Sequence, residues 1–133
     1  MNRNKFKLVI PLLLIIIFSC TGESSVKSIY AVKENSGSTI NLNVYDTLTV
    51  KLAGNPTTGY SWSAAKIDSS KLKFIEKIYL PKKPSLTGSG GTEIFKYSAI
   101  EPGSSELKMI YSRSWERDTP PVDSINFTIQ INM

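Results

Sequence analysis

Asn55-Pro56-Thr57-Thr58-Gly59-Tyr60 sets two hydroxyls between a proline that fixes one φ and a glycine that permits a chain reversal. Such a tip is stiff, and a stiff tip loses little entropy on binding. Two further stretches suit recognition. In Gly88-Ser89-Gly90-Gly91 the missing side chains let backbone amides and carbonyls approach a partner closely. In Arg113-Ser114-Trp115 two residue types enriched at binding hot spots stand two positions apart. Bond-making chemistry has few means here. The 133 residues include no His and one Cys, which removes Ser-His and Cys-His pairs, imidazole bases and most transition-metal ligand sets. Glu34, Asp46, Asp68, Glu76, Glu93, Glu101, Glu106, Glu116, Asp118 and Asp123 are scattered without pairing, and each is expected to be a solvated surface charge. An enzyme is disfavoured: no catalytic residue, metal or cofactor is expected, and what remains is non-covalent binding.

Loops of this kind need a rigid scaffold, and the rest of the chain reads as one. Ile40, Leu42 and Val44 alternate with polar residues, as do Leu48, Val50 and Leu52, then Tyr60, Trp62 and Ala64. Leu72 to Leu80 carries apolar residues on both parities, which predicts a strand facing two layers. Phe95, Tyr97 and Ala99, then Leu107, Met109 and Tyr111, then Ile125, Phe127, Ile129 and Ile131 complete the set, and nothing reads as helical. Glu101-Pro102-Gly103-Ser104 predicts a tight turn between the strands it separates. Many short strands with such turns predict an all-β, antiparallel sandwich of one domain. Leu42, Val44, Val50, Leu52, Trp62, Phe74, Phe95, Tyr97, Met109, Phe127 and Ile129 are expected mostly inside. Trp115 reads equally as a core residue or an exposed anchor, and Tyr60 as a tip contact or part of the sandwich end.

The N-terminus is a separate problem. Arg3, Lys5 and Lys7 precede an apolar run from Leu8 to Phe18, shorter than the ~20 residues a spanning helix needs. A basic segment, an apolar segment and then small residues read as an export signal over residues 1–19. The single cysteine, Cys20, follows at once and resembles the lipid-modified first residue of a bacterial lipoprotein. The alternatives are an ordinary secretory signal with an incidental thiol, or an uncleaved anchor. Residues 20–28 then form a small, polar tether, and 29–133 the folded domain. Without residues 1–19, thirteen basic residues face eleven acidic ones, so the formal charge of +5 belongs mostly to the leader and a nucleic-acid partner is not supported. With no second cysteine, the domain has no internal disulfide and must hold by apolar burial.

The three loops, in this order, resemble the chagasin family of cysteine-protease inhibitors: an Asn-Pro-Thr-Thr-Gly-aromatic loop, a Gly-x-Gly-Gly before an aromatic strand, and an Arg-x-Trp loop. The resemblance runs from about Ile40 to Ile131. The family usually has proline between the arginine and the aromatic; here Ser114 stands there. The resemblance implies an immunoglobulin-like β-sandwich whose loops enter the cleft of papain-like cysteine peptidases as a reversible wedge. It implies that Asn55, Pro56, Thr57, Thr58, Gly59 and Tyr60 cover the catalytic centre, with Thr57 and Thr58 nearest. Gly88, Ser89, Gly90 and Gly91 would flank one side, and Arg113, Ser114 and Trp115 the other. A monomer is expected, exported and lipid-anchored through Cys20 to the periplasmic face or cell surface, and otherwise secreted. The competing expectation is an immunoglobulin-like surface lipoprotein that uses the same loops to bind another protein or a glycan.

Overall fold

Period-two alternation becomes eight strands in the computed structural model, which describes residues 25–133. The expected leader, the lipidated Cys20 and tether residues 20–24 lie outside the described residues. The strands are β1 (Ser28–Val32), β2 (Thr39–Asn43), β3 (Thr47–Gly54), β4 (Tyr60–Lys66), β5 (Leu72–Pro81), β6 (Gly91–Ala99), β7 (Gly103–Arg113) and β8 (Asp123–Asn132). They form two four-stranded sheets, ordered β1-β3-β6-β5 and β2-β8-β7-β4. The inward residues of each are apolar: Leu48, Val50 and Leu52 from β3, Phe95 and Tyr97 from β6, Leu107 and Met109 from β7, and Ile125, Phe127, Ile129 and Ile131 from β8. Between the sheets they make one continuous core, which an antiparallel sandwich requires of its two facing surfaces. Trp62 belongs to it, with its indole N–H donating to the Ala53 carbonyl at 2.9 Å, so the ring is buried without an unpaired donor.

The pairings β3–β6, β5–β6, β4–β7 and β7–β8 are antiparallel, while β1–β3 and β2–β8, each at one edge of its sheet, are parallel. Alternation alone does not distinguish the two, because inward and outward faces are the same in both.

Three expectations need correction. The turn at Glu101–Ser104 does not close a hairpin: β6 and β7 lie in different sheets, and the chain arches from one to the other, with Gly103 at φ +130°. β5 does not face two layers. It is an edge strand, and a bulge between Phe74 and Glu76 shifts its register against β6. Phe74, expected inside, therefore rests edge-on against Tyr97 at 5.7 Å and keeps 51% of its surface exposed. Of the long β5 apolar run only Leu72 is buried. Finally, Asp46 and Glu93 are not solvated charges but buried carboxylates. Each lies in phase with an inward set, Asp46 with Leu48 and Val50, Glu93 with Phe95 and Tyr97, so the alternation that builds the core carries each carboxylate inward with it.

Burial also raises the phenol of Tyr97 to about 12, because ionising it between the sheets would strand a charge away from water.

Candidate functional site

β3 ends at Gly54, and the chain turns through one 3-10 turn, Pro56–Thr58, before β4 begins at Tyr60. Proline at the first position supplies the required φ and lacks the N–H that would go unused there. Gly59 closes the turn at φ +83°, donating its N–H to the Pro56 carbonyl at 3.0 Å. The side chains tighten the same turn: Thr57 Oγ1 donates to Asn55 Oδ1 at 2.5 Å and Thr58 Oγ1 to the Asn55 carbonyl at 2.7 Å. No residue from Asn55 to Thr58 is buried, so the tip is both ordered and presented.

The other two loops are bonded to this one. Asn55 Nδ2 donates to the carbonyl of Gly88 at 3.1 Å, joining the first loop to the glycine-rich second. Gly90 faces the Gly54 carbonyl and the Asn55 side chain, which a β-carbon there would just touch, and its left-handed conformation at φ +71° favours glycine. From the other side, Arg113 Nε donates to the Thr58 carbonyl at 3.2 Å. The Arg113 guanidinium stacks over Tyr60 at 4.3 Å, lies 6.0 Å from Trp115, and pairs with Glu116 at 3.1 Å. The Trp115 indole is 64% exposed, its far edge laid on Gly59, where any β-carbon would collide with it. Trp115 is thus an exposed residue, not core. Gly59 is required twice over, by its positive φ and by the indole. Tyr60 is half-buried, its ring 5.6 Å from Tyr111.

Beneath the first loop lies a group that motif reading passed over. Glu93, on β6, is fully buried and accepts from Ser61 Oγ at 2.9 Å and from the backbone N–H of Trp62 at 3.3 Å. Lys77 of β5 closes the arrangement, 2.6 Å from the Glu93 carboxylate and 3.2 Å from the Trp62 carbonyl. The two sheets are thereby clasped at their open edge, β5 and β6 of one to β4 of the other. Gly54 must be glycine for this, since a β-carbon would occupy the place of the carboxylate. Tyr111 adds a second strut, its phenol oxygen accepting the Asn55 N–H at 3.0 Å. One signal in the sequence could have found Glu93: an acid in phase with Phe95 and Tyr97 must point inward, where it needs a partner. Nothing in the sequence could have named Lys77 as that partner, because the β5 bulge shifts the register that selects it.

The arrangement suits non-covalent binding. Its exposed groups are hydroxyls, backbone carbonyls, a guanidinium already paired and an indole, and hydrogen bonds join the first loop to each of the other two.

Comparison with known proteins places these loops in context. The family model described as Chagasin family peptidase inhibitor I42 matches residues 41–131, which include all three loops. Chagasin from Trypanosoma cruzi is 31% identical over 103 residues, covering 74% of this chain and 92% of that protein. Amoebiasin-1 from Entamoeba histolytica is 27% identical over 101 residues, covering 76% and 95%. The crystal structure of a cysteine protease inhibitor from Entamoeba histolytica shares the fold with a TM-score of 0.74 at 20% identity, covering 80% of this chain and 97% of that one.

Proposed function

The chain belongs to the chagasin family of peptidase inhibitors, and on that premise we propose that it inhibits papain-like cysteine peptidases reversibly, by filling the active-site cleft with its three joined loops. The observation that carries this reading is the bonding of the first loop to both neighbours, Asn55 to Gly88 and Arg113 to Thr58. A wedge must not deform into a substrate. Peptidases cleave a strand held with its carbonyl in line for attack, and the 3-10 turn at Pro56–Thr58, closed by a left-handed Gly59, is far from that conformation. Thr57 and Thr58 would lie nearest the catalytic cysteine, the backbone of Gly88–Gly91 along one wall, and Trp115 with Arg113 along the other. An exposed indole on a preformed support desolvates fully only in the complex, which makes it the principal anchor.

Location is part of the same proposal. The leader over residues 1–19 and the lipid on Cys20 would export the domain and hold it at a membrane surface, with residues 20–28 as a tether.

Titration of papain or a cathepsin L-like peptidase with the purified domain is expected to show stoichiometric, reversible loss of activity, with the inhibitor recovered uncut. Undiminished activity, or cleavage between Asn55 and Tyr60, would overturn the proposal. Cell fractionation tests the anchor by itself: Cys20→Ser is expected to move the protein from membranes to the soluble fraction.

A further inference from the structure

The end of the sandwich opposite the three loops is built quite differently. β3 runs from Thr47 at that end to Gly54 at the loop end, so about 25 Å of strand separates them. The chain enters there: β1 starts at Ser28, paired with Thr47. The entering segment is clamped in place, Lys27 N–H donating to Asp46 Oδ1 at 2.9 Å and the Lys27 carbonyl accepting from Thr47 N–H at 2.9 Å. The other carboxylate oxygen of Asp46 accepts the Asn43 N–H at 2.8 Å. One buried side chain thus fixes both the leash and the Asn43–Asp46 turn beside it.

That turn presents Tyr45 at φ +75° with 67% of its surface exposed. It is the one non-glycine residue at positive φ among the described residues. An aromatic in this conformation is strained, its β-carbon crowding the following carbonyl, and the fold gains little burial from it. Around Tyr45 stand further apolar side chains, Val26 on one side and Val44, Ile100, Pro102 and Met133 on the other. Val26 and Ile100 are also exposed. Charges of both signs flank this end, Lys27 beside the buried Asp46 and Lys71 paired with Asp68 at 3.4 Å.

We propose that this end, Tyr45 with Val26, Ile100 and Pro102, is a seat on the lipid surface that carries the chain's anchor, holding the three loops pointed away from the bilayer. The proposal rests on the reading of Cys20 as the anchored residue. Lys27, the clamped residue, lies seven positions after Cys20, so the leash spans at most about 25 Å. A seat so tethered meets the surface at an effective concentration in the millimolar range, where even a small apolar contact is occupied. Tyrosine suits the boundary, with an apolar ring and a polar tip. The lipid retains the molecule, and the seat orients it.

The two sheets and the core described above lie within residues 25–133, so a chain beginning at Cys20 keeps all of them. Its Cys20 thiol is coupled to a maleimide lipid in phosphatidylcholine nanodiscs that also contain a gadolinium-chelate lipid, and amide signals are compared at the two ends. Strong attenuation is expected at 26–27, 44–46 and 100–102, with signals at 55–60 and 113–116 retained. Tyr45→Gly combined with Ile100→Ser is expected to abolish that contrast while the protein stays on the disc and inhibits unchanged. Tyr45→Gly alone relieves the positive φ, so its thermal stability should not fall. Equal attenuation at both ends, or a contrast that survives the double variant, would overturn the seat. So would lipid-free self-association through 44–46, seen as concentration-dependent shifts. Coupling here is chemical, so the outcome is independent of whether a cell lipidates Cys20, which the fractionation of Cys20→Ser reports separately.

Discussion

Each end of the sandwich is pinned by one buried carboxylate, and the two are satisfied in opposite ways. Asp46 is held by backbone amides of its own turn and of the entering strand. Glu93 is held by a lysine of β5 and by a hydroxyl and an amide of β4, in the other sheet. A carboxylate bound by local amides organises a turn; one bound across the sheets organises their mutual position. The loop end needs the second kind, because its three loops come from both sheets and must keep one relative geometry. The opposite end needs only to hold one turn and one leash.

The largest effect tests whether the loop end works as a unit. Replacing Thr57 and Thr58 with aspartates is expected to abolish inhibition, by about a hundredfold at least, since a hydrated charge cannot enter a filled cleft. Inhibition titration measures it, and a variant that still inhibits would remove the tip from the wedge.

Next comes the carboxylate contrast itself. Glu93→Ala strands the Lys77 ammonium and the Trp62 amide, and should lower stability by about 3 kcal/mol, together with a loss of inhibition in the fraction that stays folded. Asp46→Asn keeps the shape and one acceptor oxygen, and should cost about 1 kcal/mol with inhibition intact. Denaturant unfolding alongside inhibition constants reads both. Equal behaviour of the two variants would break the distinction between a local and a cross-sheet pin.

Trp115→Ala should weaken binding by about 2 kcal/mol, about thirtyfold in Kd, with little change in melting temperature because the indole is exposed. If instead the domain unfolds, the third loop is scaffold and not wedge.

Smallest is Ser114→Pro. Ser114 is the second residue of a turn closed by Glu116 N–H donating to the Arg113 carbonyl at 3.2 Å, a position that favours proline. Binding should tighten by a few-fold, about 0.5–1 kcal/mol, visible as slower dissociation.

Most of the core was legible, because residues such as Leu42, Val50 and Phe127 declare their face by parity alone. Phe74 has the right residue type and fails, since parity cannot say that a strand lies at an edge. The candidate loops were legible as composition: Pro56, Gly59 and Gly90 occupy conformations that their residue types announce. Their support was not. Glu93 is read only with Lys77 and Ser61, Gly54 only with Glu93, and Asn55 only with the Tyr111 phenol 56 positions away. Such pairs are set by register, and register is a property of two strands rather than one.

The pairing of Thr39 with Thr128 places the second strand from the N-terminus beside the last. Only β5–β6 and β7–β8 join consecutive strands; β2–β8, β3–β6 and β4–β7 must wait for a distant segment. Loop closure must be met before such contacts return anything, so folding belongs to the millisecond-to-second range typical of sandwiches. During synthesis β2 has no partner until β8 has left the ribosome, and its apolar Ile40 and Leu42 stay uncovered for most of that interval. A truncation within β8 therefore leaves β2 without a partner and bares one side of β7, which keeps only β4, and the half-open sheet is an edge ready to recruit another chain.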